Sequence, residues 1–93
     1  MSRNAFIVGT GLGVPDGVIT NADLEKIVDT TDEWITKMTG IKERRKTDDS
    51  TATSDLVSIA VENAMSMAGW KAEDVQAIIV GTVTPDYYFP STA

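Results

Sequence analysis

Ala77-Ile78-Ile79-Val80-Gly81-Thr82-Val83 is a β-branched run of the kind found in strands buried on both faces of a sheet. Its counterpart near the amino end is Ala5-Phe6-Ile7-Val8, a short apolar run that opens into the turn-rich Gly9-Thr10-Gly11-Leu12-Gly13. The residues between them read as helices. Thr20 or Asn21 can cap a short helix through about Val28. Thr30-Thr31-Asp32-Glu33 has capping-box spacing, with the Thr30 hydroxyl placed to accept from the Glu33 amide, and Gly40 ends that helix as a left-handed cap. Thr53 or Ser54 then starts a longer helix to about Ala68, whose apolar stripe (Leu56, Ile59, Ala60, Ala64, Met67) is broadened by Val57 and Val61, and Gly69 stops it. Ala72 to Asp74 reads as a single turn.

Strand, helices, strand is an α/β order: an enlarged βαβ unit of two parallel strands with intervening helices and a right-handed crossover. Two strands buried on both faces need further strands beside them and helices above and below. In the last ten residues, Thr84 to Ala93, three aromatics stand in succession before Ser91 or Thr92, which is placed to cap another helix. The expectation is that residues 1–93 are the amino-terminal, incomplete part of a larger domain.

Composition narrows the chemistry. The 93 residues contain no Cys and no His, so they supply no thiolate nucleophile, no Ser-His or Cys-His pair and no Cys/His zinc site. A net charge of −6 argues against general nucleic-acid binding, which demands a basic face. Five of the eight basic residues, Lys37, Lys42, Arg44, Arg45 and Lys46, nevertheless fall in one ten-residue stretch opposed only by Glu43, a local net of +4. That suits a phosphorylated small molecule or an acidic partner surface, or else a solvated basic turn. No apolar stretch approaches the roughly 18 residues of a membrane span, and the amino end lacks a secretory signal, so a cytoplasmic location is expected.

Gly9, Gly11 and Gly13 invite comparison with a dinucleotide-binding fingerprint, but Val14 stands where a third glycine belongs and Pro15 where a helix should run. Neighbouring carboxylates such as Asp32-Glu33 and Asp48-Asp49 read as capping or solvation, and no metal site is visible. Trp34 stands out. An indole on a short amphipathic helix just before a basic stretch can stack on a nucleobase while Lys or Arg neutralises phosphate; the alternative is a core Trp. Tyr87-Tyr88-Phe89, bounded by Pro85 and Pro90, is either a lid or an interface patch. Trp70, after the helix stop, reads as a clamp folded back on the helix.

Three segments carry a resemblance: Thr20-Asn21-Ala22-Asp23-Leu24-Glu25, then Asp29-Thr30-Thr31-Asp32-Glu33-Trp34-Ile35, then Thr39-Gly40-Ile41-Lys42-Glu43-Arg44-Arg45. Together with Thr53-Ser54-Asp55-Leu56, Ala68-Gly69 and Phe89-Pro90-Ser91, in that order, they make the chain similar to the amino-terminal region of β-ketoacyl-acyl-carrier-protein synthase III. The resemblance implies a partial thiolase-like fold and a homodimer. It also implies a decarboxylative Claisen condensation joining an acyl-CoA primer to malonyl-acyl carrier protein at the start of fatty-acid elongation. Acyl-CoA is then a substrate, and no cofactor is held permanently. The family's catalytic Cys, His and Asn are expected beyond Ala93, so no catalytic residue is assigned here.

On the same resemblance, Trp34 occupies the position of an adenine-stacking Trp, Thr30 that of a Thr touching the same base, and Phe89 that of a Phe lining the partner subunit's acyl pocket. Met38 stands where family members commonly place an Arg for the CoA phosphate, which leaves Lys37 as the candidate cation; a Lys lacks the bidentate geometry of Arg. Two alternatives stay open. One is another thiolase-superfamily acyltransferase, of secondary-metabolite or hydroxymethylglutaryl-CoA type. The other is a free-standing acidic carrier module using Ser50, which the strand-like run near Ile78 opposes.

Overall fold

The computed structural model describes residues 3–93. They form two compact units: one is Val14–Ser50, the other comprises the described residues up to Gly13 together with Thr51–Ala93.

The Val14–Ser50 unit runs β1 (Gly17–Thr20), α1 (Asn21–Glu25), α2 (Asp32–Thr39), β2 (Glu43–Lys46). β1 and β2 pair antiparallel, with Gly17 opposite Lys46 and Thr20 opposite Glu43. Thr20 caps α1 reciprocally: its hydroxyl accepts from the Asp23 N–H at 3.2 Å while its own N–H donates to the Asp23 carboxylate at 2.9 Å. α1 is shorter than its apolar spacing predicts. Its last turn closes with bonds from the Lys26 and Ile27 amides back to Asp23 and Leu24, and Ile27 and Val28 remain exposed.

α2 starts one residue later than the capping-box reading. Thr31, in extended conformation, is the cap and its hydroxyl accepts from the Trp34 N–H at 3.1 Å. The Asp32 N–H is taken by the Glu25 carboxylate at 2.6 Å, so Thr30 is released from capping and the predicted Thr30–Glu33 box does not form. Gly40 closes α2 as expected, with φ 71° and its N–H on the Thr36 carbonyl.

The other unit is organised by α3 (Thr53–Ala68), stopped by Gly69 at φ 70°. Gly9, Gly11 and Gly13 lie along its side. A Cβ at Gly11 would overlap the Ala60 carbonyl oxygen, one at Gly9 that of Ala64, and one at Gly13 that of Leu56. The match is one of period. Two extended residues advance about 6.6 Å and one turn of helix about 5.4 Å, so every second residue meets a successive turn. Glycine facing the small Ala60, Ala64 and Ala68 lets backbone rest on backbone. Thr10 N–H reaches the Met67 sulfur at 3.4 Å and the Asn63 amide reaches the Leu12 carbonyl at 3.4 Å from the same helix. The glycine series is thus a packing device in this unit.

The expected parallel ladder is absent. Among the described residues the sole strands are β1 and β2, and no backbone hydrogen bond joins residues 5–8 to 77–83. The physical reason lies in what flanks these runs. Ile7 is 88% exposed and Ile79 95%, so no neighbouring strand or covering layer completes the sheet. An open groove of about 610 Å³ separates Val57, Val61 and Met65 of α3 from Ala77 to Val80. Ala72–Asp74 is the expected single turn, a 3-10 helix.

α3 also starts differently from expectation. Neither Thr53 nor Ser54 is the cap; the cap position is Ala52, which has no side-chain acceptor. The N–H and hydroxyl of Ser54 both donate to the carboxylate of Asp86, thirty-two residues along the chain. A distant side chain does the work that a local one was expected to do.

Two outcomes follow from these contacts. Gly11→Ala should destabilise the protein by about 1–3 kcal/mol in denaturant melts, because the added methyl has a backbone carbonyl in its way. Gly81→Ala, where nothing lies within 4 Å, should stay within about 0.5 kcal/mol. The Thr20 N–H, and after it the Thr20 hydroxyl, hold the Asp23 carboxyl below its ordinary 3.8. A depressed folded value stabilises above 3.8 and ceases to do so as pH falls through that lower value. Asp23→Ala should therefore melt below the parent at neutral pH, and the gap should close as acid protonates the carboxyl.

Candidate functional site

The hub of the Val14–Ser50 unit is a polar residue. Asn21, the first residue of α1, is 1% exposed and is the largest fully buried side chain among the described residues. Its Nδ2 donates to Asp32 Oδ1 at 2.7 Å and to the Ile41 carbonyl at 2.9 Å, with Thr36 Oγ1 at 3.4 Å. Its Oδ1 accepts from Arg44 Nη2 at 2.8 Å, and its backbone N–H donates to the Lys42 carbonyl at 3.1 Å. One amide therefore ties together both helices, the turn after α2 and β2. Buried polar groups are tolerated only when satisfied in this way. Ile35, on the inner face of α2, is the one buried apolar residue among those described.

With Ile35 inward, Trp34 is turned out. The indole is 57% exposed and Met38, four residues on, is 58% exposed on the same face, as helical spacing requires. The core alternative for Trp34 does not hold in this structure. Lys37, one turn along and also exposed, lies in the last turn of α2, where the helix dipole favours a cation.

Thr30 sits two residues before α2. Its Oγ1 is shielded from solvent and has no hydrogen-bond partner. An unpaired buried hydroxyl costs about 1–3 kcal/mol, so the conformation of this residue is not set by its own bonding.

The basic stretch does not act as one patch. Arg44 is turned inward, with Nη1 at 3.3 Å from the Ile19 carbonyl besides its bond to Asn21, and Arg45 Nη1 donates to the Pro15 carbonyl at 3.0 Å. Lys37, Lys42 and Lys46 remain exposed. Phe89 belongs to the other unit, in the Thr84–Thr92 segment, and is 92% exposed. Ser50 is engaged by Asp48, its hydroxyl and N–H both donating to one carboxylate oxygen, and it precedes α3 rather than opening it. Among the described residues no group of Asp, Glu, His or Cys is arranged to hold a metal, and no helix is long and apolar enough to cross a membrane.

No family model matches the chain. Individual relatives do. A β-ketoacyl-[acyl-carrier-protein] synthase III of Caldanaerobacter subterraneus subsp. tengcongensis is 60% identical over 89 residues, 96% of this chain and 27% of that protein. The enzyme of that name from Xanthomonas oryzae is 53% identical over all of this chain and 29% of its own length. The crystal structure of 3-oxoacyl-[acyl-carrier-protein] synthase III from Aquifex aeolicus superposes with a TM-score of 0.86 at 49% identity, over 94% of this chain and 28% of that one. The chain is similar to the amino-terminal part of these β-ketoacyl-[acyl-carrier-protein] synthases III.

The synthase from Pseudomonas aeruginosa, at 34% identity, still superposes with a TM-score of 0.84 over 98% of this chain. The fold is therefore a partial thiolase-like α/β fold, as the resemblance implied, with the parallel ladder corrected as above. The chain spans somewhat over a quarter of the synthases it matches.

Two residues that organise the structure escaped the sequence reading. The sequence offers Asn21 only as an alternative to Thr20 for capping α1, where one cap suffices. Asp86 carried no signal at all, since its partner Ser54 lies in a different segment. Asn21→Ala should cost about 2–4 kcal/mol in denaturant melts, since it strands Arg44 and Asp32 without their shared partner. A loss below about 1 kcal/mol would show that water replaces the amide.

Proposed function

We propose that the chain is the amino-terminal part of a condensing enzyme of the synthase III type. The reaction joins an acyl-CoA primer to malonyl-acyl carrier protein with loss of carbon dioxide, beginning fatty-acid elongation. What carries this reading is the match in both sequence and structure along nearly the whole chain, at 60% identity to one such synthase and a TM-score of 0.86 to another. These residues contain no Cys and no His, so the acylated thiol of such a reaction belongs to the remainder of the enzyme. The role of this part is recognition.

In this reading Trp34 is the adenine platform. Its helix is capped by Thr31, and its ring is turned to solvent because Ile35 takes the core position beside it. Base stacking on such a ring is worth about 1–3 kcal/mol. Thr30 supplies a hydroxyl without a partner next to the start of that helix, and Lys37 supplies charge for CoA phosphate one turn beyond the ring. Phe89 contributes to the acyl pocket of a partner subunit in a cytoplasmic homodimer, consistent with a phenyl ring exposed in this chain. Acyl-CoA enters as substrate and leaves as free CoA, so no resident cofactor is required.

The test is calorimetric. Trp34→Ala in the whole enzyme should weaken acyl-CoA binding by about 1–3 kcal/mol while leaving the melting temperature close to the parent's, since the ring is not part of a core. Unchanged affinity would remove Trp34 from the site.

A further inference from the structure

The aromatic segment is fastened at its base and free at its tip. The Thr53 hydroxyl donates to the Thr84 carbonyl, the Ser54 N–H and hydroxyl donate to the two Asp86 carboxylate oxygens, and the Asp86 N–H reaches Thr92 Oγ1 at 3.4 Å. The loop is therefore closed on itself between residues 86 and 92 and pinned to the first turn of α3. Asp86 is half-buried, whereas Tyr88 and Phe89 at the tip are almost fully exposed. Within this chain no packing at the tip directs those rings.

Within this chain their direction is set from the base, and there Asp86 is the decisive group. Ala52 at the cap position of α3 offers no acceptor, so the Ser54 N–H depends on this carboxylate. Two donors from one residue onto two carboxylate oxygens fix both the distance and the rotation of the loop base, which a single bond cannot do. The positive end of the α3 dipole reinforces the anion. The two Ser54 bonds also hold the Asp86 carboxyl below its ordinary range.

We infer that Asp86 is a positioning residue that aims Phe89: by clamping the loop base to the first turn of α3, it sets which acyl-chain lengths the Phe89 pocket admits. This rests on the reading of Phe89 as an acyl-pocket residue. Asp86 itself touches no substrate.

The test uses the whole enzyme with acetyl-CoA and hexanoyl-CoA as probes, reading the ratio of their kcat/KM values and hydrogen exchange at the amides of residues 87–92. Asp86→Ala should shift the ratio by about five- to ten-fold and speed the exchange, on the scale of losing hydrogen bonds to a charged group. Asp86→Asn, which keeps an acceptor for the Ser54 N–H, should return the ratio to within about two-fold. Gly11→Ala, which weakens the packing of α3 without touching the clamp, should lower stability and leave the ratio alone. An unchanged ratio in Asp86→Ala while Phe89→Ala changes it overturns the inference and keeps the acyl-pocket reading. An unchanged ratio in Phe89→Ala overturns both. If Asp86→Ala does not fold, Ser54→Ala decides by the same ratio: a shift of about two-fold supports the clamp, and none overturns it.

Discussion

A helix leaves the first N–H groups of its backbone without internal partners, and the three α-helices among the described residues meet that requirement in three ways. α1 does so locally, through the reciprocal Thr20–Asp23 pair. α2 uses Thr31 for one amide and borrows the Glu25 carboxylate, from the preceding helix, for another. α3 has an alanine at its cap and is completed by Asp86. The farther the acceptor lies along the chain, the more of the chain it organises. Thr20 shapes one turn, Glu25 sets the approach of one helix to the next, and Asp86 pins an entire loop.

The same economy of polar groups explains a core with so little apolar content in the Val14–Ser50 unit. Asn21 is buried where a leucine would be expected, and it is tolerable because both ends of its amide are bonded. Its effect is geometric more than energetic. Fixing α2 at Asp32 and again at the Ile41 carbonyl leaves the helix no freedom to roll, so Ile35 stays inward and Trp34 outward. The exposed indole is a consequence of a buried amide.

Arg44 illustrates how a charge pattern misleads. In sequence it is one of five cations in a compact cluster; in the fold its guanidinium faces Asn21 and the Ile19 carbonyl, and Arg45 is held by Pro15. The lysines of the cluster, Lys37, Lys42 and Lys46, stay exposed, and Lys37 is the one that shares α2 with Trp34. The aromatic loop shows the converse. Nothing in Tyr87-Tyr88-Phe89 states how it is held, because its anchor is a serine backbone amide on another segment.

The amino-acid order alone determined that three helices form and where α2 and α3 stop. Capping residues, left-handed glycines and apolar spacing act within a few residues, so Gly40, Gly69 and the long α3 were legible, as were the segments similar to the synthases. Only the tertiary structure decided which threonine caps α2, that Asp86 completes α3, that Asn21 is a hub, and that Gly9, Gly11 and Gly13 lie on a helix rather than around a phosphate. It also decided that the apolar runs at residues 5–8 and 77–83 carry no ladder. A hydrophobic pattern reports which side chains avoid water, whereas a strand exists only where a second backbone is in place to bond with it.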